Sequence, residues 1–134
     1  EMGIQPYLNG VSSLESIRPL ALSCGVFVVP EVVHGTRPLI LEAMAAGRIV
    51  VAMDDPFADF LIDDVTALIP RERDARSWTE HLTRALLDPA CASIGREGAI
   101  RTAARYASAR CATQLLEACE TIVRGPAIPF PGTA

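Results

Sequence analysis

Two unbroken apolar runs, Gly25-Val26-Phe27-Val28-Val29-Pro30 and Arg48-Ile49-Val50-Val51-Ala52-Met53, constrain this chain more than any other feature. Neither alternates apolar with polar residues, which is how strands buried on both faces of a parallel sheet read. Between them lies Pro38-Leu39-Ile40-Leu41-Glu42-Ala43-Met44-Ala45-Ala46-Gly47, a short helix framed by Pro at its first position and Gly at its end. A strand, a helix and a second strand at this spacing imply a right-handed βαβ crossover. The expected class is α/β, a parallel sheet covered by helices on both faces.

The flanking segments extend that pattern. Gln5-Pro6-Tyr7-Leu8-Asn9-Gly10 reads as the end of a short strand running into a turn. Ser12-Ser13-Leu14-Glu15 carries the Ser-x-x-Glu capping signature and opens a helix over about Leu14 to Ser23, with Leu14, Ile17, Ala21 and Cys24 on one buried face. After the second strand, Phe57 to Ile62 has the composition of a short helix, Asp63-Asp64 of a turn, and Ala67-Leu68-Ile69 of a brief third strand closed by Pro70. The second half is helical. Asp74 or Ser77 caps a helix to about Leu87, Asp88-Pro89 restarts the chain, and helices follow over about Pro89 to Tyr106 and Ser108 to Arg124. Gly95 and Gly98 weaken the first of these two. The stretch from Gly125 is Pro-rich, extended or disordered.

All twelve basic residues are Arg, and none is Lys. That excludes chemistry needing a lysine amine: Walker-type phosphate loops, Schiff-base enzymes and protein kinases. A genome rich in G and C, which encodes Arg in place of Lys, accounts for the absence without a functional reason. The net charge of −4 and the scattering of the arginines argue against a nucleic-acid module. The uncharged run from Pro19 to Pro30 is about twelve residues, too short to span a bilayer. Glu1-Met2-Gly3 opens no secretory leader, and a first residue other than Met reads as a segment of something longer. Cys24, Cys91, Cys111 and Cys119 show no C-x-x-C spacing, so buried free thiols are expected rather than zinc or a redox pair.

Glu42 is the exception in its helix. A helix apolar at every other position is expected to be buried all round, between the sheet and another layer, and a carboxylate there needs a partner. Two readings stand: Glu42 accepts hydrogen bonds from ligand hydroxyls at the mouth of a cleft, or it is satisfied by backbone N–H groups or an Arg such as Arg48. Ligands of open parallel sheets sit outside the carboxyl ends of the strands, where the loop Glu31 to Arg37 begins. The N–H groups of Gly35, Thr36, Leu39 and Ile40 are candidate anion donors at the helix start, and the Thr36 hydroxyl either joins them or caps the helix. A phosphate beside a polyol fits such a site, and a nucleotide sugar contains both.

The stretch from Phe27 to Ala52 resembles the donor-binding half of retaining GT-B glycosyltransferases of the group 1 type. In that family a strand ending in Pro (Pro30) leads to a loop, then to a helix of the Glu42-Ala43-Met44-Ala45-Ala46-x-Gly kind, then to a Val50-Val51-Ala52 strand. The likeness continues at Asp63-Asp64-Val65-Thr66-Ala67-Leu68-Ile69-Pro70, at Leu86-Leu87-Asp88-Pro89 and at Tyr106-Ala107, covering about residues 4 to 124. It implies a Rossmann-like parallel sheet forming part of the C-terminal half of a GT-B fold. It implies transfer of a sugar from a nucleotide-diphosphate sugar with retention, no metal or other cofactor, and an acceptor site on an N-terminal GT-B domain outside this chain. Residues 1–124 would form the donor domain, N-terminally incomplete, and 125–134 a tail. The place would be cytoplasmic, with any peripheral membrane attachment through the absent part.

The family signature is two glutamates separated by seven residues. The second falls on Glu42, which the resemblance implies binds ribose hydroxyls; Gly35, Thr36, Arg37 and Leu39 would complete the substrate contacts. The first falls on His34, the position nearest the reacting centre and the catalytic candidate. An imidazole offers one donor and one acceptor where a carboxylate only accepts, so altered sugar preference, lost activity and an ordinary loop histidine all stand open. Asp54, Asp55, Asp64 and Ala67 stand where the family has glycine-rich backbone, and Asp59 stands where it has glutamate. Asp54-Asp55 reads as a cap or turn rather than a metal pair, since neighbours at a strand end point to opposite faces. Alternatives to a transferase are a non-catalytic relative acting as a binding or regulatory module, and an interaction domain with no ligand.

Overall fold

The computed structural model describes residues 14–33 and 35–125. The Gln5-to-Gly10 strand and turn, the Ser12-Ser13 cap and the Pro-rich tail from residue 126 onward lie outside the described residues. The elements run α1 (Leu14–Ser23), β1 (Val26–Val29), α2 (Arg37–Ala45), β2 (Ile49–Ala52), α3 (Ala75–Leu87), a 3-10 turn (Pro89–Cys91), α4 (Ala92–Tyr106) and α5 (Ser108–Arg124). This is the mixed α/β, Rossmann-like arrangement expected from the sequence.

β1 and β2 pair in parallel, Val26 opposite Ile49 through Val29 opposite Ala52, with α2 as the crossover. Side chains alternate between the faces as the pleat requires. Val50 and Ala52 pack with Ala21 of α1 and Leu39, Ile40, Ala43 and Met44 of α2. Val51 turns the other way, onto Leu68, Ala85, Cys91 and Ile94. β2 is thus buried on both faces, whereas β1 is not: Val28 is 39% exposed. The helical cover on that side, Trp78, Leu82 and Ala85 of α3, centres on Val51 and Leu68 and leaves Val28 open.

The third strand shrinks to one rung. Leu68 bridges Val51 in parallel, donating from its N–H to Val50 (2.9 Å) and accepting from Ala52 N–H (3.1 Å). The ladder stops there because the next donor facing β2 would belong to Pro70, which has no N–H to give; Ile69 N–H points away from β2 and bonds Asp63 Oδ1 (3.0 Å). Residues 57–62 form turns instead of the expected helix. Asp55 Oδ1 accepts the Phe57 N–H, and the buried Thr66 hydroxyl accepts from Ile62 N–H while donating to Phe60 O. Thr66 thus takes the Ile62 N–H that a helix would have paired with Ala58 O.

α2 starts at Arg37 with Pro38 in its first turn, and closes in a Schellman motif. Gly47 at φ 73° lets its N–H reach Met44 O (2.8 Å) and the Arg48 N–H reach Ala43 O (3.0 Å). The helix is not buried all round. Leu39, Ile40, Ala43 and Met44 face the core, Leu41 and Glu42 are half-buried, and Ala45 is exposed, because α1, α4 and the sheet leave its outer side uncovered.

α4 crosses the end of α2 closely, and its glycines are the reason it can. A Cβ on Gly95 would stand 2.6 Å from Gly47 O, and one on Gly98 3.3 Å from Thr66 O. Residues that weaken the helix by propensity therefore seat it. Asp74 caps α3, its Oδ1 accepting from Ser77 N–H at 2.7 Å. α5 buries no residue; Leu115, Leu116, Ile122 and Val123 are 64–82% exposed. Its Cys111 and Cys119 are exposed free thiols, so only Cys91 is buried and Cys24 half-buried, against the expectation for all four. No helix among the described residues is long and apolar enough to cross a membrane.

Candidate functional site

The carboxyl ends of β1 and β2, the start of α2 and the loop after β2 meet on one side of the sheet. Among the described residues, space beside the helix start is open: a Cβ on Gly35 would meet none of their atoms within 4 Å, its chain neighbours aside. Thr36 sits at the N-cap position, but its hydroxyl does not cap the helix. It donates to Val33 O (2.9 Å) and accepts from Val33 N–H (3.0 Å), closing the loop on itself. Thr36 N–H bonds Val33 O (2.9 Å) and Ile40 N–H bonds Thr36 O (3.0 Å), while the Leu39 N–H has no acceptor among the described residues. Of the expected anion donors, Thr36 and Ile40 are already engaged. His34 lies outside the described residues.

Arg37 is committed to the protein. Its Nε and a terminal nitrogen donate to Asp55 Oδ2 at 3.0 and 2.7 Å, and its guanidinium lies 5.6 Å from the centre of the Phe57 ring. Both partners are largely buried, with side chains 19% and 8% exposed. This gives Asp55 the turn-making role read from the sequence and adds an ion pair. Among the described residues no three His, Cys, Asp or Glu converge as a metal set.

Glu42 has a cationic partner from a different element. Arg18 Nε of α1 lies 2.9 Å from Glu42 Oε2, and the side chains are 63% and 36% exposed. Arg48, the partner considered from the sequence, is not paired with it; Arg48 Nε is buried with no hydrogen-bond partner among the described residues. Long helical side chains lean toward the N-terminus, so the Glu42 carboxylate covers the turn nearer Pro38 and Leu39. It therefore stands near the helix start while remaining open to solvent. The sequence reading missed Arg18, although one signal was present: it is the only basic residue before Arg37.

A second polar cluster braces the post-β2 loop from below. Asp59 accepts from the Tyr106 hydroxyl and pairs with Arg105 at 2.7 Å, while the Tyr106 ring meets Phe60 edge-on at 5.8 Å. Burial, then the hydrogen bond and charge of Asp59, push the Tyr106 phenol up to about 12, against the opposing pull of Arg105. Asp64 holds the left-handed conformation at φ 58°, one that a residue other than glycine seldom takes, and pairs with Arg84 at 2.5 Å.

A family model described as "Glycosyl transferases group 1" matches residues 3–88, more than half of the chain; the match takes in Arg18, the start of α2, Glu42 and the Arg37–Asp55 pair but not Arg105 and Tyr106. Among the curated proteins and the solved structures nothing matches.

Proposed function

This chain belongs to the group 1 glycosyl transferases, and from that premise we propose that it is one wall of a donor site for a nucleotide-diphosphate sugar. Transfer proceeds with retention in the whole enzyme, and an N-terminal GT-B domain supplies the acceptor. Glu42 is the observation that carries this reading. It is a carboxylate 36% exposed, on a helix that begins at the carboxyl end of β1, with open space beside Gly35. Its other oxygen, which has no partner among the described residues, accepts hydrogen bonds from the ribose hydroxyls. The donor phosphates lie by the start of α2, where the Leu39 N–H and the helix dipole favour an anion. Arg37 acts there by shaping the loop with Asp55 rather than by lending a free charge. The family likeness gives His34 the role of contacting the transferred sugar.

The chain by itself binds a nucleotide sugar weakly and turns nothing over, because half of the cleft is elsewhere. Calorimetric titration with UDP- and GDP-sugars, beside Glu42→Ala, tests the reading. The variant is expected to lose most of the binding heat; equal heats for both proteins remove Glu42 from the site.

A non-catalytic relative is the second reading, favoured by His34 in place of the family glutamate. Against decay, Asp64 takes the left-handed conformation that glycine adopts readily, at φ 58°. His34→Glu in the full-length protein decides: a large gain in transfer indicates a decayed site, and a loss makes His34 functional. A ligand-free interaction domain would show no shift of Tm with any nucleotide.

A further inference from the structure

We propose that Arg18 is the positioning residue of this site: from α1 it holds one oxygen of Glu42 and so presents the other to the ribose of a bound nucleotide. The inference rests on the reading of Glu42 given above. Its observation is the 2.9 Å contact between Arg18 Nε and Glu42 Oε2. Three other ion pairs, Arg84 with Asp88, Arg101 with Glu97 and Arg124 with Glu120, run along single helices at i,i+4. The Arg18 pair instead joins two helices, at the one carboxylate of an apolar segment.

Exposure argues for a role beyond folding. With side chains 63% and 36% exposed, the pair is screened by water and adds little to stability. A ligand covering Glu42 changes that balance. Water is excluded, the local dielectric falls, and the attraction strengthens. Without the guanidinium, the covered carboxylate would exchange its hydration for the ribose hydroxyls alone, with no opposite charge beside it. A carboxylate offers about four lone-pair sites, so one engaged by Arg18 leaves acceptors enough for two vicinal hydroxyls. Arg18 also restricts the rotation of a side chain that is otherwise free on the open face of α2. Orientation, and with it the preference for ribose over deoxyribose, is what Arg18 supplies.

The test compares UDP and GDP with their 2′-deoxy forms by calorimetry on the wild-type chain, Arg18→Ala, Arg18→Lys and Glu42→Ala. The wild-type chain is expected to bind a ribonucleotide about tenfold more tightly than its deoxy form, the worth of one charge-assisted hydrogen bond. Arg18→Ala is expected to cut that ratio at least about threefold with Tm unchanged, and Arg18→Lys to restore part of it. A purely structural role would weaken both forms alike and leave the ratio intact. If the ratio collapses in Glu42→Ala but survives in Arg18→Ala, the role of Arg18 is overturned and the reading of Glu42 stands. If the ratio survives in Glu42→Ala, or none of the four nucleotides binds, the reading of Glu42 falls and this inference with it.

Discussion

Arg37 and Asp55 are joined by two hydrogen bonds to a single carboxylate oxygen, at 3.0 and 2.7 Å, across the gap between the first residue of α2 and the loop after β2. The pair ties together the two segments that follow the carboxyl ends of the strands. Asp55 also holds Phe57 N–H through its other oxygen, which makes one side chain the hinge pin of the loop.

Asp55→Ala leaves the Arg37 guanidinium largely buried and without its carboxylate. Breaking such a pair from one side costs roughly 3 kcal/mol, because the remaining charge is uncompensated. Urea unfolding of the variant is expected to show a loss of that order, against under about 0.5 kcal/mol for the exposed Arg71→Ala. Equal losses would mean that the pair contributes nothing.

Gly95→Ala places a methyl group 2.6 Å from a backbone oxygen, so α4 must move off α2. Overpacking of this kind costs about 1–3 kcal/mol. Gly98→Ala meets Thr66 O at 3.3 Å, and the helix-propensity gain of about 1 kcal/mol offsets most of that squeeze. Thermal melts are expected to put Gly95→Ala well below Gly98→Ala; the reverse order would show that α4 does not seat on Gly47.

The Tyr106 phenol, raised from 10.0 to about 12 by burial and Asp59, makes stability depend on alkaline pH. Between those values the unfolded chain has lost this proton and the folded chain has kept it, so stability falls as pH rises from about 10 to about 12. Below 10.0 both states hold the proton and the contribution is fully present. Unfolding free energies of the wild-type chain and Tyr106→Phe, measured across that range, are expected to differ in slope there and to run parallel below it. Parallel curves throughout would remove the effect.

Thiol labelling separates the cysteines by tertiary position. Cys111 and Cys119 on the open α5 are expected to react with a small disulfide reagent in the native protein. Cys91 is buried under α3 and α4, and desolvation raises its thiol further, so its labelling is expected to follow unfolding. Fast native labelling of Cys91 would contradict the packing of Ala85, Cys91 and Ile94.

Local chemistry was legible in the residues. Leu14 to Ser23, Ser108 to Arg124, the Asp74 cap and the Pro38-to-Gly47 frame were all readable, because each depends on neighbours within a few residues. The helix expected over residues 57–62 failed for the opposite reason. Thr66, outside that stretch, supplies the hydrogen bonds that hold the turns, and Pro70 ends the third strand after one rung. The site divides in the same way. Glu42 stood out as a carboxylate in an apolar helix, but its partner could not be read from spacing, since Arg18 belongs to another helix.

Alone, the sequence determined the class of the fold and the family: two β-branched strands around a Pro-started, Gly-stopped helix admit little besides a parallel crossover. The tertiary structure decided which charges are free. It paired Arg37 with Asp55 and Glu42 with Arg18, left Arg48 Nε without a partner among the described residues, and turned two helix-weakening glycines into the seat of α4. The physical reason is range. Backbone propensity and capping act over a few residues, whereas ion pairs, close backbone approach and burial are set by segments that meet only after the chain has folded.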